Sequence, residues 1–173
     1  GHIDLLIGGS PCQSFSFAGR RVGMSTSTNE EIYTLDRYLE LKNGGFEFEG
    51  ESYLFWEYMR ILHELRETNP DVFFFLENVE MGEKWESVLT QAIGIPGIHM
   101  NSALVSAQNR RRIYWTNIQL KEVGLLRKKV INIPQPKDKG IYLKDILEDE
   151  VDKKYYLSDD IVDKLLANGV KGV

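Results

Sequence analysis

Three short groups of polar residues could do chemistry, and each of them borders an apolar run of the chain. The first group, Ser10-Pro11-Cys12-Gln13, follows the apolar residues 3–9 and holds the only cysteine in the sequence. The second group, Glu77-Asn78-Val79, follows the apolar residues 71–76, and the third occupies residues 108–112. A thiol, a carboxylate and arginines around one crevice could act as nucleophile, proton donor and hydrogen-bond donors.

Each group also has an ordinary structural explanation. A lone cysteine is more often a small buried hydrophobe than a nucleophile, and a carboxylate such as Glu77 is commonly a helix cap or an arginine partner. The polar residues after Cys12, together with Arg20-Arg21, instead indicate an exposed cationic loop, in which nearby cations favour the reactive thiolate. Alternation along a strand would place Arg110 and Arg112 on one face and leave Arg111 for solvent or phosphate.

The rest of the sequence predicts the elements that must hold these groups. Apolar runs predict strands at residues 3–9, 71–76, 102–105 and 112–118. Apolar residues at helical spacing predict helices at residues 52–69, with Ser52 as its cap, at 84–93, and a short one at 30–42. This alternation predicts an α/β fold whose mostly parallel sheet is covered on both faces.

Composition limits the class of protein. The chain has 173 residues, of which 42% are hydrophobic and 27% charged, as expected for one globular domain. No apolar run is long enough to span a bilayer, so we expect no membrane partner. Three scattered histidines and one cysteine predict no metal site. A single cysteine fits a reducing compartment, and we expect a cytoplasmic protein.

Charge is distributed unevenly along the chain. The net charge is −5, yet residues 108–129 are strongly basic, with Glu122 as their one acidic residue. From Asp145 onward the balance reverses. A basic strip on an acidic body could meet the phosphates of a nucleic acid, although either run alone is more simply a solvated face.

The three polar groups resemble motifs of the DNA cytosine-5 methyltransferases. Residues 9–16 contain the family's Pro-Cys-Gln, and Glu77-Asn78-Val79 is its Glu-Asn-Val. Gln108-x-Arg110-x-Arg112 is similar to its Gln-x-Arg-x-Arg. Each match alone is weak, but all three in order are highly specific. The resemblance covers about residues 3–157.

The resemblance implies a partial Rossmann-like methyltransferase fold that uses S-adenosylmethionine and acts on double-stranded DNA, as in restriction-modification systems. Cys12 would attack C6 of a cytosine extruded from the duplex, so that C5 accepts the methyl group. Glu77 would hydrogen-bond N3 and the exocyclic amine of the base. Arg112 would contact its O2, and Arg110 would order the pocket.

Further roles follow from the same resemblance. Pro11 and Leu54 match positions near the cofactor. The Ser10 carbonyl would accept a hydrogen bond from the base amine, and Asn78 would brace the turn after its strand. The remaining DNA or base contacts would come from Gln13, Ser16, Arg20 and Gln108.

The sequence also departs from the family pattern, because it contains neither the Gly-rich cofactor motif nor the target-recognition region. We therefore expect residues 1–142 to form a fragment of the catalytic domain, and residues 143–173 an acidic segment leading towards the absent region. Alone, such a fragment would bind S-adenosylmethionine weakly and methylate little. A sheet edge left exposed could support a homo-oligomer. The insertion at residues 24–49 receives no assignment.

Other functions stay open at this point. The chain could be a non-catalytic module that keeps the fold and contacts nucleic acid or another subunit through its basic strip. It could also be one half of a split enzyme, complemented by a chain that carries the cofactor motif. A thiol redox protein is disfavoured, because there is no second cysteine.

Overall fold

A computed structural model describes residues 1–11, 30–48, 51 and 53–167 of the chain. Its strands are β1 (Leu5–Gly9), β2 (Phe73–Val79), β3 (Ile98–Asn101), β4 (Arg111–Thr116), β5 (Leu120–Val123) and β6 (Lys128–Ile131). Its α-helices are α1 (Leu35–Asn43), α2 (Leu54–Thr68), α3 (Glu83–Ile93) and α4 (Asp159–Ala167). Short 3-10 helices lie at Ser102–Leu104, Leu143–Asp145 and Lys153–Tyr155.

The main sheet has four strands in the order β1-β2-β4-β3. β1 and β2 are parallel, but β4 runs antiparallel to both of its neighbours, β2 and β3. The α/β class is confirmed, whereas the prediction of a mostly parallel sheet is wrong. The reason is the link at residues 102–110, which is shorter than the dozen or so residues that a parallel crossover needs. β4 therefore turns back and pairs between β2 and β3.

Helices α2 and α3 cover one face of this sheet. On that face the side chains of Phe74, Leu76, Ile113 and Trp115 are fully buried. Trp115 Nε1 donates a hydrogen bond to Thr90 Oγ1 of α3 at 3.1 Å. The guanidinium of Arg66 in α2 lies 5.4 Å from the centre of the Phe74 ring. These contacts place most of the hydrophobic core between the helices and one side of the sheet.

In the part of the chain that the structure describes, the opposite face of the sheet is exposed at β1 and at the start of β2. Leu5, Ile7 and Phe73 point to that face and are 43%, 67% and 50% exposed, respectively. At these positions the described residues do not provide the cover on both faces that the sequence predicted. An apolar run shows that a strand has hydrophobic side chains on both faces, but it does not show which elements pack against each face. β1 is also an edge strand, and self-association through that edge stays a prediction.

β1 packs so closely on α2 that one of its positions has no room for a side chain. A Cβ atom on Gly8 would lie 2.6 Å from the ring of Tyr58. At the other end of the helix, Asn69 Nδ2 donates to the Ile3 carbonyl at 2.9 Å. α2 therefore runs from the carboxyl end of β1 back to its amino end. Its first turn lies at the same end of the sheet as Ser10.

Part of the unassigned insertion folds against α2. The helix predicted at residues 30–42 begins later, at Leu35, and Tyr38 from it is buried in the core. The Tyr38 hydroxyl donates to the Glu57 carboxylate of α2, which also contacts Lys42 and, at 2.9 Å, Arg60 Nε. Burial alone would raise the pKa of Glu57, but the three hydrogen bonds outweigh it and hold the pKa at about 2.

The remaining elements mostly follow the sequence pattern. The predicted strands at β1, β2 and β4 and the predicted helices α2 and α3 are confirmed, while the predicted cap Ser52 lies outside the described residues. β2 continues through Glu77 and Asn78, which were expected just after the strand. The strand predicted at residues 102–105 is wrong. A 3-10 helix forms there, and β3 precedes it.

The basic residues 108–129 do not form one continuous surface. β4 carries the chain along the sheet for about 20 Å, since each strand residue advances it by roughly 3.3 Å. Arg110 precedes β4, whereas Lys121, Lys128 and Lys129 lie beyond its far end in the β5–β6 hairpin. The predicted basic strip is therefore divided between the two ends of the sheet.

The acidic segment after residue 141 is exposed along its described length, α4 included. Within the described ranges, none of the helices combines the length and the apolar character needed to cross a membrane. Among those same residues, no cluster of three or more His, Cys, Asp or Glu side chains could hold a metal ion.

The Glu57 network makes a prediction about stability and pH. We expect Glu57→Gln to lower the free energy of unfolding at pH 7 by about 2 kcal/mol, because the lowered pKa of Glu57 favours the folded state once the carboxyl is ionised. This contribution is complete above an ordinary carboxyl pKa of 4.5 and is lost as the pH falls to about 2. Urea unfolding between pH 7 and pH 2.5 measures it.

Glu64→Gln is the matched control, since Glu64 also contacts Arg60 but is 60% exposed. We expect this control to change the free energy of unfolding by less than about 0.5 kcal/mol at any pH. A destabilisation by Glu57→Gln that stays constant down to pH 2.5 would contradict the proposed network.

Candidate active site

Three strands bring Glu77, Arg110 and Arg112, the described members of the predicted catalytic set, to one end of the sheet. β1 ends at Gly9, which lies opposite Glu77 of β2. Val79, at the end of β2, pairs with Arg112 at the start of β4. Because β4 is antiparallel, its first residues, and not its last, meet the carboxyl ends of β1 and β2. The antiparallel direction of β4, which the sequence did not predict, thus brings Arg110 and Arg112 to Glu77.

Glu77 and two arginines form the centre of this site. Glu77 Oε1 lies 2.6 Å from Arg112 Nε and 3.5 Å from Arg110 Nη2. The Arg112 contact is an ion pair without the alignment of a hydrogen bond, and Arg112 Nη1 donates instead to the Arg111 carbonyl at 2.7 Å. Arg111 itself points away, with Nη1 4.0 Å from Glu80 Oε2. Arg110 and Arg112 therefore face one site, as alternation along the strand predicts.

A glycine leaves room for the carboxylate. A Cβ atom on Gly9 would lie 3.3 Å from Glu77 Oε2, which is closer than most carbon–oxygen contacts in proteins. The two residues are register partners on neighbouring parallel strands, so their side chains would share one face. The missing side chain at Gly9 leaves room for the Glu77 carboxylate beside the end of β1.

Asn78 joins the ends of β1 and β2. It is 1% exposed, and its Nδ2 donates to Ser10 Oγ at 2.9 Å. Its Oδ1 accepts a hydrogen bond from the Val79 amide at 2.8 Å. Asn78 thus holds Ser10 in place. The next residue, Pro11, is the last described position before Cys12.

The other predicted site residues have different outcomes. Pro11 and Ser10 are half-buried after β1, and Leu54 begins α2 at the same end of the sheet. Gln108 is exposed, and its backbone N–H donates a hydrogen bond to Ser106 Oγ at 3.3 Å. The predicted nucleophile and three predicted DNA contacts lie outside the described residues, namely Cys12, Gln13, Ser16 and Arg20.

Asn101 holds the backbone next to the site, and the sequence did not reveal this contact. Its Oδ1 accepts hydrogen bonds from the amides of Ala103 and Arg110, both at 3.1 Å. Its Nδ2 donates to Asn109 Oδ1 at 2.9 Å. An asparagine nine positions before an arginine gives no periodic signal, because the contact depends on how the intervening loop closes.

His99 lies beside the site on the helix-covered face. Its Nε2 is 2.9 Å from Glu86 Oε1 of α3, and its Nδ1 is 3.5 Å from Glu80 Oε1. Partial burial would lower the pKa of His99, but the two carboxylates outweigh burial and raise it above its ordinary value. The contact of the His99 ring with Glu86 ties the edge strand β3 to α3.

The arrangement is suited to binding a planar polar ring. A carboxylate and two guanidinium groups can offer acceptors and donors in one plane, and such planar, charge-assisted hydrogen bonds are strong. β1 leads directly from this cluster to Pro11 and Cys12. In sequence, the predicted nucleophile Cys12 thus follows the strand that borders Glu77 and the two arginines.

Comparison with known proteins points to one family. Residues 1–87 match the family model of the C-5 cytosine-specific DNA methylases. The chain is 30% identical to the type II methyltransferase M1.ScrFI of Lactococcus lactis subsp. cremoris, over 92% of the chain and 36% of that protein. For the type II methyltransferase M.HpaII of Haemophilus parainfluenzae, the identity is 30%, over 94% of the chain and 41% of that protein.

The orphan methyltransferase M.Rho11sI of Bacillus phage rho11s is 28% identical, over 95% of the chain and 34% of its own length. The chain therefore spans only between 34% and 41% of the length of these three relatives.

The Asn78–Ser10 contact predicts an energetic coupling between the ends of two strands. We expect Asn78→Ala to lower the free energy of unfolding by about 1–3 kcal/mol, because it leaves the Val79 amide without its partner. In a double-mutant cycle with Ser10→Ala, we expect a coupling of about 1 kcal/mol for the bond itself. Urea unfolding of the four proteins measures both values, and strictly additive losses would show that the contact contributes nothing.

Proposed function

This chain belongs to the family of C-5 cytosine-specific DNA methylases, and we propose that it carries the catalytic groups for methylating cytosine in double-stranded DNA. The observation that carries the proposal is the contact of Glu77 with both Arg110 and Arg112. Glu77 lies on β2 opposite Gly9, the last residue of β1, and β1 is the strand that leads to Pro11-Cys12. The relatives are named as type II or orphan methyltransferases, which supports the same reaction class.

The proposed reaction begins with a cytosine that has left the duplex, since the target carbon cannot be reached inside a base stack. The Cys12 thiolate forms a bond to C6, and the electron pair of the C5–C6 double bond moves to C5. C5 then forms its bond to the methyl group that bound S-adenosylmethionine would supply, and the electron pair of the broken methyl–sulfur bond would stay on sulfur to give S-adenosylhomocysteine. Loss of the C5 proton to a base and breakage of the Cys12–C6 bond restore the ring.

The described residues supply the groups that would hold the base. Glu77 would accept a hydrogen bond from the exocyclic amine and share a proton with N3, so that the ring accepts electron density during attack. Arg112 would donate to O2, and Arg110 would keep the Glu77 carboxylate oriented. The Ser10 carbonyl is a second acceptor for the amine, and Asn78 fixes its position through the Ser10 side chain.

The cofactor site would be incomplete in this chain. Pro11 and Leu54 lie where β1 ends and α2 begins, which is the end at which open α/β sheets bind their ligands. Both side chains are apolar and fit one wall around the cofactor, while the sequence has no Gly-rich cofactor motif. We therefore propose that the 173 residues alone turn over little, and that the remaining contacts come from segments present in the longer relatives.

The covalent step predicts a trapped adduct. We expect the full-length protein to form a denaturation-resistant complex with duplex DNA that contains 5-fluorocytosine, in the presence of S-adenosylmethionine, because fluorine cannot leave as a proton does. Cys12→Ser should abolish the complex, and Glu77→Gln should slow its formation by about 100-fold, as expected for a group that assists proton transfer. Denaturing gel electrophoresis measures the adduct.

Two results separate this reaction from the alternatives. An adduct that persists in Cys12→Ser would overturn the assigned nucleophile. DNA binding without any adduct in the wild-type protein would instead support a non-catalytic module.

Arg112 should matter more than its neighbour Arg111. We expect Arg112→Ala to slow adduct formation by about 100-fold while changing DNA affinity by less than about 3-fold, because a base contact specifies position and a phosphate contact supplies general affinity. Arg111→Ala is the matched control, since Arg111 points away from Glu77. Equal losses of DNA affinity in both variants would show that Arg112 is only a phosphate contact.

A further inference from the structure

The loop between β3 and β4 contains Gln108 and leads to Arg110 of the site, and the Asn101 side chain bonds to the backbone at both of its ends. The loop begins after Asn101, the last residue of β3, which pairs with Arg111 at the start of β4. Residues 102–110 therefore leave the sheet and return to it beside the strand pair from which they left. The position at which the chain rejoins the sheet fixes the position of the Arg110 backbone, from which its side chain extends.

Both backbone groups of Arg110 are held by the residues at the other end of this loop. The Arg110 amide donates to Asn101 Oδ1 at 3.1 Å. The Arg110 carbonyl accepts from the Ser102 amide at 3.0 Å and is 3.4 Å from Ser102 Oγ. The Asn101 side chain is thus a bridge across the neck of the loop, and it adds a contact to Asn109 from its other end.

The position of Arg110 matters because its contact with Glu77 is long and exposed. The Nη2–Oε1 distance is 3.5 Å, and the Arg110 side chain is 46% exposed, against 17% for Arg112. Packing therefore confines Arg110 less than Arg112. An exposed ion pair of this length contributes little energy by itself, so the direction of Arg110 must come from its backbone.

We infer that Asn101 is a positioning residue for the reaction proposed above, acting through the Arg110 backbone on the Glu77 carboxylate. The hydrogen bonds of Asn101 go to Ala103, Asn109 and Arg110 and not to Glu77. The two hydrogen bonds that Asn101 accepts close the loop. The closed loop directs the Arg110 side chain towards Glu77, and this contact orients the carboxylate that would meet the base. The inference rests on the proposed function for its effect on rate, and on the loop geometry for its effect on Arg110.

A purely structural role would give a different pattern of variants. Asn101→Ala removes both accepted bonds, whereas Asn101→Asp keeps an oxygen for the amides of Ala103 and Arg110 and loses only the donation to Asn109. The Asn109 amide can turn to donate to the new carboxylate. Asn109→Ala is the matched control, because it removes the third contact and leaves the two accepted bonds in place.

Adduct formation on 5-fluorocytosine duplex DNA by the full-length protein tests the effect on rate. We expect Asn101→Ala to slow the reaction by about 10-fold, a loss typical of one or two hydrogen bonds. Asn101→Asp and Asn109→Ala should each stay within about 3-fold of the wild type, and DNA affinity should change little in all three. In an Arg110→Ala background, Asn101→Ala should have no further effect, because residues that act through one another are not additive.

Amide hydrogen exchange tests the loop itself, whatever the reaction. We expect Arg110 N–H to exchange at least about 10-fold faster in Asn101→Ala and near the wild-type rate in Asn101→Asp, since the accepted bond protects it. Unchanged exchange in Asn101→Ala would overturn the inference. So would an equal loss of rate in Asn101→Asp, or a full additional loss in the Arg110→Ala background.

The two failures can be told apart. If the wild-type protein forms no adduct, the proposed function fails, and exchange at Arg110 still decides whether Asn101 holds the loop.

Discussion

The placement of β4 between β2 and β3, antiparallel to both, is the constraint on which the site depends. In a purely parallel sheet, the last residues of each strand would meet at one edge, and Arg110 and Arg112 would lie at the far end of the sheet from Glu77. Because β4 is reversed, its first residues meet the ends of β1 and β2. The same reversal sends the basic β5–β6 hairpin to the opposite end.

Close packing around β1 fixes the position of the end of this strand relative to β2 and α2. Gly8 lets the strand lie against Tyr58 of α2, and Gly9 leaves room for the Glu77 carboxylate. Asn78 then ties the end of β2 to Ser10. Three small or polar residues thus fix the end of β1, and a chain that continues to Pro11 must leave the sheet beside Glu77.

The parts of this molecule that could be predicted from its sequence are those with local causes. α2 and α3 repeat apolar residues at helical spacing, and β1, β2 and β4 contain apolar runs, so neighbouring residues suffice to indicate them. The strand predicted at residues 102–105 is wrong because Asn101 caps a 3-10 turn there. Tyr38 and Glu57, which join α1 to α2, gave no signal, since they meet only after the helices have packed.

The sequence by itself determined the family, through three motifs whose residue types and order are local facts. It also predicted, from the alternation of side chains along a strand, that Arg110 and Arg112 face one site, although Arg110 lies just before β4. Only the tertiary structure decided the direction of β4, the open face of β1 and β2, the pairing of both arginines with Glu77, and the bridge from Asn101 to Arg110. Each of these depends on contacts between residues far apart in the chain, which no local pattern records.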